Sequence, residues 1–459
     1  MMKKEKMCLL GLLPALTVPM TLPCLAGNNA ELPPNIIVVL TDDMGYGDIG
    51  IYGGKFIPTP NIDRMAEEGS RFNQYYSASP ISSPSRCGLL TGMYPGKWHI
   101  TTYLQGKAGN KAAEMADYLD PSAPTLPKVM KNAGYKTGHF GKWHLGGGRD
   151  VRNAPPFVAY GYDEYCSTYE SPQPDSLLTA TDWIWSPQDS VKRWNRTAYF
   201  VDKTLAFLER HRGEACFVNL WPDDMHTPWV GNFEQQQVFP DGQESEKNFR
   251  VVLAEYDRQI GRLLREIKNM NLENNTIVIF TSDNGPTFNG GSDSFFFDSA
   301  KPFKSEWGWG KASLREGGIR VPMIASWPKK IKAGSKSDLI CAFWDIMPTF
   351  CEIAKVECPT TDGISFLPEL LGKKQNKHDF LYWEFPDSGG QKAVRMGKWK
   401  GIVLNIFKGN RKIQLYDLDS DPREQTDVAR YHPEIVKKME DIMKQEHIEP
   451  ELASFKMPH

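Results

Sequence analysis

The stretch NIIVVL at Asn35–Leu40 and the stretch TIVIF at Thr276–Phe280 are continuous apolar runs rich in β-branched residues. A run without polar alternation is typical of a central strand that is buried on both faces of a parallel sheet. The first run continues directly into Thr41–Asp43 (TDD), and the second into Thr281–Asn284 (TSDN). Because ligands of open α/β sheets bind at the carboxyl ends of the strands, we expect these two loops to share one site.

Helix signals lie between the apolar runs. Thr59 and Pro60 are residue types expected of an N-cap and a first helical position, and Gly69 closes the helical pattern. Ala198–Arg210 and Val251–Met270 also have helical spacing. Strands that alternate with helices predict an α/β fold, with a large, mixed and mostly parallel sheet sandwiched by helices.

A different pattern begins near residue 371. The lysine-rich segment Gly372–Lys377 is typical of a linker, and a terminal helix is predicted at His432–His447. Antiparallel strands with glycine turns are predicted between them, at Phe380–Phe385, Lys392–Met396, Trp399–Leu404 and Ile413–Tyr416. The sequence therefore predicts a large α/β domain at 28–371 and a smaller α+β domain, carrying an antiparallel sheet, at 378–459.

Composition narrows the class of protein. The chain has 459 residues, which is long for one domain and short for three. A formal net charge of -2 with 24% charged residues gives no electrostatic reason to expect a nucleic-acid partner. The 13 tryptophans are explained mostly by core packing, although sugar-binding surfaces also use tryptophan faces.

The N-terminal segment has the composition of a secretory signal peptide. Lysines stand at positions 3, 4 and 6, Cys8–Leu25 is apolar, and small residues precede a cleavage point near Ala26 or Gly27. A membrane-spanning helix is the alternative, but prolines at positions 14, 19 and 23 interrupt this short segment. Lipid attachment at Cys24 is a further alternative. We predict a signal peptide at 1–27, no membrane span, and an exported protein that is periplasmic, extracellular or held at the cell surface.

The cysteines leave two interpretations open. Six follow the predicted signal peptide: Cys87, Cys166, Cys216, Cys341, Cys351 and Cys358. Export permits disulfides, and the last three cysteines are close enough in sequence to supply one. The sequence is equally compatible with six free thiols. No Cys-x-x-Cys spacing occurs, which disfavours a structural zinc site.

The two strand-end loops have the composition of a metal site. Asp42, Asp43, Asp283 and Asn284 offer oxygen ligands only, which suit a hard divalent cation such as Ca²⁺. Taken alone, Asp42 and Asp43 are explained as well by a capped turn. Adjacent carboxylates repel each other, however, and a bound cation relieves that repulsion. The second acidic pair at another strand end favours the metal.

Ser82-Ser83-Pro84-Ser85-Arg86, followed by Leu90-Thr91-Gly92, resembles the signature of the type I sulfatases, which have the alkaline phosphatase superfold. In that family the first Cys or Ser of the signature is oxidised to formylglycine (3-oxoalanine). Pro84 suits the start of a helix, and a helix N-terminus stabilises developing negative charge. Arg86 lies in the first turn, within reach of the modified residue. The plain alternative is an ordinary helix with a surface arginine.

Three further segments match the family in the same order. Lys142 and His144 are two residues apart, so an extended segment places both on one face. His226 follows a predicted strand at Cys216–Leu220, and Lys311 stands five residues before a Glu-Gly-Gly sequence. Together with the LYDL sequence at 415–418, these segments extend the resemblance over nearly the whole chain.

The resemblance implies a role for each matched residue. The catalytic residues are Ser82 as formylglycine, Arg86, His144 as the base and His226 as the candidate acid for the leaving alcohol. The sulfate-binding residues are Lys142, Lys311 and His226, and the Ca²⁺ ligands are Asp42, Asp43, Ser82, Asp283 and Asn284. Serine at position 82 implies the serine-type route of bacterial carbohydrate sulfatases, with an anaerobic-type sulfatase-maturating enzyme as a transient partner.

The sequence says less about the substrate. Export and abundant tryptophan suit a sulfated carbohydrate, such as a glycosaminoglycan, a mucin-type glycan or an algal glycan. His99, after the signature helix, and Glu170, in an aromatic and acidic stretch, are candidate sugar contacts. The alternatives are a catalytically silent glycan-binding protein with an unmodified Ser82, a zinc phosphatase or phosphodiesterase of the same superfold, and a phosphonate monoester hydrolase.

Overall fold

Strand β1 (Asn35–Thr41) lies in the middle of the large sheet and is buried along its whole length. Ile36 and Val38 belong to one hydrophobic core, whereas Ile37 and Val39 belong to another. Since successive side chains of a strand point to opposite faces, both faces of this strand are covered. This explains why its sequence has no polar alternation.

The computed structural model describes residues 32–238, 244–287, 298–306 and 308–448. The described residues from Pro33 onward belong to one compact unit. The predicted signal peptide at 1–27 lies outside the described residues. Within them, no helix combines the length and the apolar character that crossing a membrane requires.

The large sheet is mixed and mostly parallel, as predicted. The strands after β1 are β2 (Ser70–Phe72), β3 (Tyr75–Tyr76), β4 (Lys136–Gly141), β5 (Glu164–Ser167), β6 (Cys216–Trp221), β7 (Thr276–Ser282), β8 (Met323–Ser326), β9 (Ser335–Ser337), β10 (Cys341–Ala342), β11 (Leu381–Phe385), β12 (Gln391–Met396), β13 (Trp399–Leu404) and β14 (Gln414–Asp417). The order in the large sheet is β5-β4-β6-β1-β7-β8-β2-β9. The neighbouring strands β5, β4, β6, β1 and β7 are parallel to one another. Strand β8 lies between β7 and β2 and is antiparallel to both.

Helices cover both faces of this sheet. The α-helices of the described residues are α1 (Pro60–Glu68), α2 (Ser82–Thr91), α3 (Lys107–Ala112), α4 (Leu126–Asn132), α5 (Arg196–Arg210), α6 (Phe233–Gln236), α7 (Glu244–Asn269), α8 (Glu316–Ile319), α9 (Ile346–Ala354), α10 (Leu367–Leu370) and α11 (Pro433–Gln445), of which α11 packs on the smaller C-terminal sheet. Phe200 of α5 and Leu253 of α7 pack in the core that contains Ile37. Leu90 of α2 and Phe350 of α9 pack in the core on the opposite face. The predicted helical segments at 198–210 and 251–270 correspond to α5 and α7, which both begin earlier.

A separate antiparallel sheet, β11-β12-β13-β14, follows at the C-terminal end. On one face, Trp383 joins the core of the large sheet, and its Nε1 donates to the carbonyl oxygen of Ser77 over 2.9 Å. On the other face, Tyr382 packs with Met439 of α11. The predicted fold class is therefore confirmed, whereas the domain boundaries at 28–371 and 378–459 stay a prediction.

The structure favours one of the two cysteine interpretations. All six cysteines after the predicted signal peptide have free thiols, and all except Cys358 are buried. Burial raises the pKa of Cys216 to about 12, so this thiol is protonated at neutral pH. A protonated and buried thiol is chemically inert, which is typical of a core residue.

Candidate active site

The acidic loops at the ends of β1 and β7 lie side by side. The two strands are parallel neighbours and pair up to their last residues. One carboxylate oxygen from each of Asp42, Asp43 and Asp283 lies within 4.8 Å of the others, and all three side chains are buried. The Asp43 N–H donates to Oδ1 of Asp283 over 3.0 Å, and Nδ2 of Asn284 donates to Oδ1 of Asp43 over 2.7 Å. These bonds tie the two loops into one cluster of oxygen atoms.

This cluster fits a hard divalent cation. Oδ1 of Asn284 is buried and has no hydrogen-bond partner among the described residues, although buried amide oxygens normally have one. Three buried carboxylates also repel one another unless positive charge lies between or beside them. Oxygen atoms alone make up the donor set, which is the set that Ca²⁺ or Mg²⁺ prefers. A bound cation would use the amide oxygen and relieve the repulsion.

Ser82 stands at the N-terminus of α2, next to this cluster. Its side chain is buried, and its Oγ lies 3.2 Å from Oδ1 of Asp42 and 3.4 Å from Nζ of Lys142. Pro84 is the third helical residue, so the helix begins earlier than its proline indicates. Residue 82 therefore stands where the unpaired N–H groups of a helix favour negative charge. Gly92 ends the helix in the left-handed conformation, with φ of 69°.

Arg86 is a buried residue of the site, which excludes the alternative of a surface arginine. Its Nη2 lies 2.9 Å from Oδ2 of Asp283 and 3.3 Å from Oδ1 of Asp42. Its guanidinium also lies over the Trp221 ring, 5.2 Å from the ring centroid. The planar guanidinium thus fixes two carboxylates from different strands at once.

Two lysines form ion pairs with the carboxylates of the first strand-end loop. Nζ of Lys142 lies 2.8 Å from Oδ2 of Asp42, and Nζ of Lys311 lies 2.8 Å from Oδ2 of Asp43. We call this set the charged floor; it consists of Asp42, Asp43, Ser82, Arg86, Lys142, Asp283, Asn284 and Lys311. Its three carboxylates and its three cationic side chains balance in charge. A divalent cation would therefore leave the floor with a net positive charge that suits a dianion or the monoanion of an ester.

The cations set the ionisation of the floor. Burial alone would raise the pKa of Asp42, but Lys142, His226 and Arg86 hold this pKa well below its usual value. Burial outweighs the same arginine at Asp283, whose pKa is raised to about 6. A bound divalent cation would lower the pKa of Asp283, because it favours the ionised carboxylate.

His226 lies at the edge of the floor, after β6. Its Nδ1 lies 2.6 Å from the carbonyl oxygen of Thr227, so Nδ1 carries the proton in the neutral ring. Its Nε2 lies 3.2 Å from Nζ of Lys311, which donates to it. Burial, reinforced by Lys311, lowers the pKa of His226. For Nζ of Lys311 to donate to Nε2, this nitrogen must carry no proton, so in this arrangement the proton between them belongs to Lys311.

His144 presents an unpaired nitrogen at the site. Its Nε2 donates to the carbonyl oxygen of Leu104 over 3.1 Å, and its buried Nδ1 has no partner among the described residues. Burial lowers the pKa of His144 to about 4, against the opposing charge of Glu170. Nδ1 is thus a free base at neutral pH. The segment is not extended as predicted, since His144 has φ of 54°.

A cavity of about 330 Å³ opens above the floor. Of the predicted residues, those that line it are Asp42, Ser82, Lys142, His144, Glu170, His226 and Lys311. The remaining members of the floor lie beneath these side chains. We give the name rim to five residues that line the cavity above the floor. They are Glu170, already named, and Tyr103, Arg149, Tyr169 and Ile184.

His99 does not lie at this cavity. It lines a separate depression together with Lys107 and Lys111. The neighbouring Lys97 points elsewhere, because its Nζ pairs with Asp362 over 2.5 Å. His99 therefore does not line the cavity above the floor, and its sugar contact stays a prediction.

Sequence patterns did not indicate two residues that hold the site in place. Arg193 donates to the carbonyl oxygens of Asp223, His226 and Pro228, so it holds the loop that presents His226. Gln391, in the small sheet, holds the loop after Lys311. Neither residue belongs to a motif, and only the folded chain brings them to their loops.

The Gln391 contacts span the two sheets. Its Oε1 accepts from the N–H of Leu314, and its Nε2 donates to the carbonyl oxygen of Ala312, each over 2.9 Å. Nearby, the buried Lys400 of β13 pairs with Glu316 over 2.9 Å. The small sheet therefore fixes the backbone that carries Lys311.

Comparison with known families identifies the class of enzyme. A family model described as Sulfatase matches residues 34–356, and one described as N-sulphoglucosamine sulphohydrolase, C-terminal, matches residues 305–449. The first match covers more than half of the chain. The chain therefore belongs to the sulfatase family and is a sulfuric ester hydrolase, which confirms the predicted type I sulfatase.

Individual relatives agree with this assignment. The N-acetylgalactosamine-6-O-sulfatase of Bacteroides thetaiotaomicron is 29% identical, over 91% of this chain and 93% of the relative. The N-acetylgalactosamine-6-sulfatase of Homo sapiens is 31% identical, over 78% of this chain and 70% of the relative. The crystal structure of Ps i-CgsB in complex with k-i-k-neocarrahexaose superposes with a TM-score of 0.76 at 26% identity, covering 90% of this chain and 92% of that one.

Proposed function

We propose that this enzyme hydrolyses a sulfate ester of a carbohydrate, with a formylglycine formed from Ser82 and a bound Ca²⁺ ion. The observation that carries the proposal is the contact of the Ser82 Oγ with both Asp42 and Lys142 on the charged floor. An unmodified serine without an adjacent base is a weak nucleophile. When formed, the hydrated aldehyde supplies one oxygen for attack on sulfur and a second hydroxyl for product release.

The relatives support a substrate class. Relatives from Bacteroides thetaiotaomicron and from several mammals carry names that specify the 6-sulfate of N-acetylgalactosamine. Ps i-CgsB, in contrast, was crystallised with a different saccharide, k-i-k-neocarrahexaose. Among the carbohydrate classes expected from the sequence, we therefore propose a 6-O-sulfated N-acetylhexosamine unit as the first substrate to test.

The Ca²⁺ ligands that we propose are Asp42, Asp43, Asp283, Asn284 and residue 82. The free amide oxygen of Asn284 and the three convergent carboxylates support this set. A cation held there would polarise the sulfate oxygens and keep the carboxylates ionised. The proposed metal is Ca²⁺ because all donors are hard oxygens and no histidine belongs to the cluster.

Lys142 and Lys311 would bind the sulfuryl oxygens from opposite sides of the cluster. Each ammonium lies on a different carboxylate, Asp42 for one and Asp43 for the other, so neither lysine needs to move far. Positive charge that is fixed before the reaction stabilises the charge that develops on these oxygens. Arg86 would contribute from below by holding Asp42 and Asp283 in place.

Two histidines would move protons. Nδ1 of His144 is unprotonated and has no partner in the part of the chain that the structure describes, so it can take the proton that must leave residue 82 when sulfate is released. His226 and Lys311 hold one proton between Nε2 and Nζ at the edge of the floor. We propose that His226 relays this proton: Nε2 takes it from the ammonium of Lys311 and gives it to the leaving alkoxide.

Maturation and export belong to the same proposal. The N-terminal composition supports a signal peptide and export. A serine at position 82 supports conversion by an anaerobic-type sulfatase-maturating enzyme. Conversion would precede folding, because Ser82 is buried in the folded chain and is then inaccessible to another enzyme.

The test is the mass of the tryptic peptide that ends at Arg86, from protein made anaerobically together with a maturating enzyme. Loss of two hydrogen atoms at Ser82, with release of sulfate from N-acetylgalactosamine 6-sulfate, is the expected result. Ser82→Ala is the inactive control. An intact serine in protein from the native host would instead favour the silent glycan-binding alternative.

Metal removal tests the second half of the proposal. Dialysis of matured enzyme against a chelator should abolish sulfate release, and Ca²⁺ should restore it. Full activity in metal-free protein, verified by elemental analysis, would contradict the assigned ligands. Restoration by Zn²⁺ alone would favour the phosphatase-type alternative.

A further inference from the structure

Arg149 lies on the rim, above the charged floor, and has no part in the proposed sulfate chemistry. Its side chain is 31% exposed and lines the cavity together with Glu170. Its Nη2 donates to Oε1 of Glu170 over 2.9 Å. On its other side the guanidinium faces the ring of Trp183, 5.8 Å from the ring centroid. A carboxylate and an aromatic face thus fix the plane of the guanidinium.

The backbone beneath Arg149 is also fixed. Gly147, Gly148 and Arg149 all have positive φ, which is uncommon for an arginine. A Cβ atom on Gly147 would lie 2.3 Å from the backbone of Ser171, so the turn packs directly against the loop of Glu170. The Arg149 N–H donates to the hydroxyl of Tyr169 over 2.8 Å. These contacts hold the backbone of Arg149 in place against the loop of Glu170.

The pair keeps hydrogen-bonding capacity toward the cavity. A guanidinium has five N–H groups, and the described contacts of the Arg149 guanidinium use Nη2 alone. Oε2 of Glu170 lies 3.5 Å from Nε2 of His144, but that nitrogen gives its proton to Leu104. The rim therefore offers a donor and an acceptor next to each other.

The net charge of Arg149 and Glu170 favours a neutral sugar hydroxyl over a second acidic group as their ligand. Arg149 and Glu170 together are neutral, because the pKa of Glu170 is lowered, despite burial, by His144, Lys142 and Arg149. A second acidic group on the substrate would meet the Glu170 carboxylate and be repelled. A sugar hydroxyl, in contrast, can accept from the guanidinium and donate to the carboxylate at once.

We propose that Arg149 and Glu170 form a clamp for the ring hydroxyls of the sugar that carries the sulfate ester. This inference rests on the proposed function and adds its specificity-determining residue, Arg149. The clamp acts on the sugar and leaves binding of the sulfuryl group to the floor.

The experiment separates the two kinds of binding. The variants are Arg149→Ala, Arg149→Lys and the control Arg152→Ala, whose side chain is exposed and outside the cavity lining. We expect Arg149→Ala to lower kcat/KM for N-acetylgalactosamine 6-sulfate by about 10–100-fold, the usual effect of unpairing a buried polar partner. Inhibition by inorganic sulfate, which probes the floor alone, should change by less than about twofold. Arg149→Lys should restore little, because an ammonium lacks the planar fork.

Each other outcome overturns the clamp in a defined way. An unchanged kcat/KM removes Arg149 from substrate recognition, and an equal loss of sulfate inhibition assigns it to the floor. A loss confined to saccharides with a second acidic group would make Arg149 an anion reader. Since the proposed function can fail separately, calorimetry of the same saccharide with Ser82→Ala and Ser82→Ala/Arg149→Ala measures the clamp without turnover. If the Ser82→Ala variant does not bind the saccharide, the clamp is overturned. If it binds the saccharide but the matured enzyme is inactive, the proposed function alone is overturned.

Discussion

The charged floor and the rim are built in different ways, although they line one cavity. Arg86 and Asp283 of the floor are fully buried, whereas Arg149 and Tyr103 of the rim are partly exposed. Most floor residues stand at strand ends or at the start of a helix, and the rim residues stand on loops. Regular elements fix groups that must not move, and loops carry the residues that distinguish substrates. The comparison predicts that damage to the floor affects every substrate and that damage to the rim affects only some.

The largest effect is expected from the floor. Lys311→Ala should lower kcat/KM by about 10²–10³-fold on every sulfate ester tested, because it removes a fixed positive charge from the transition state. The fold should survive, since Lys311 lies in a loop and its ammonium pairs, among the described residues, with Asp43 and His226. Steady-state kinetics on two unrelated esters, with a melting curve, measures both.

Lys332→Ala is the matched control, because that lysine is exposed and lies away from the cavity. If Lys311→Ala acted on one ester and spared the other, Lys311 would belong functionally to the rim. The distinction between the two regions would then be wrong.

A smaller effect is expected where the small sheet supports the floor. Gln391→Leu removes both hydrogen bonds to the Lys311 loop and should lower kcat/KM by about tenfold, a typical cost of leaving buried backbone groups unpaired. Because the described side-chain hydrogen bonds of Gln391 go to the loop of Lys311, its effect should largely disappear in a Lys311→Ala background. A double-mutant cycle on kcat/KM makes this measurement.

Gln391→Glu is the conservative comparison, since its carboxylate still accepts from the Leu314 N–H but cannot donate to Ala312. Its activity should fall between the wild type and Gln391→Leu. Additive losses in the double-mutant cycle would instead show that Gln391 supports stability in general and does not position Lys311.

The sequence predicted the floor better than its supports, for a physical reason. Asp42 and Asp283 are far apart in the chain, but both follow buried strands, and parallel neighbours end at the same edge of a sheet. Gln391 and Leu314 are 77 residues apart, and their contact depends on how one sheet docks on another. No periodic pattern carries that information.

His144 shows an intermediate case. The prediction placed it beside Lys142 on an extended segment, yet its backbone is left-handed, and it reaches the cavity by that turn. The residue type and the order of motifs indicated a side chain that lines the cavity, whereas the local geometry assumed for it was wrong. Loop conformations of this kind depend on tertiary packing, here of the following glycines against the loop of Glu170.

The pH profile tests the link between floor and rim through His144. Its pKa of about 4 means that protonation, which removes the base, sets in only as the pH falls toward 4. With saturating Ca²⁺, kcat should therefore change by less than about twofold between pH 7 and pH 5 on account of this residue. The Glu170 carboxylate holds this pKa up, so Glu170→Gln should move the acid limb lower. An acid limb near the ordinary histidine value would contradict the assignment of His144 as the buried base.

The smallest effect is expected at His99, outside both regions. His99 has φ of 53°, so His99→Asn is the appropriate change, because asparagine tolerates the left-handed conformation. Since His99 lines a depression separate from the cavity, kcat/KM for N-acetylgalactosamine 6-sulfate should stay within about twofold of the wild type. The measurement becomes informative with longer sulfated saccharides, which reach farther along the surface than one sugar unit does. A loss that appears only with these would extend the rim to His99 and confirm its predicted sugar contact, whereas no loss at any length would confine recognition to the loops of Arg149 and Glu170.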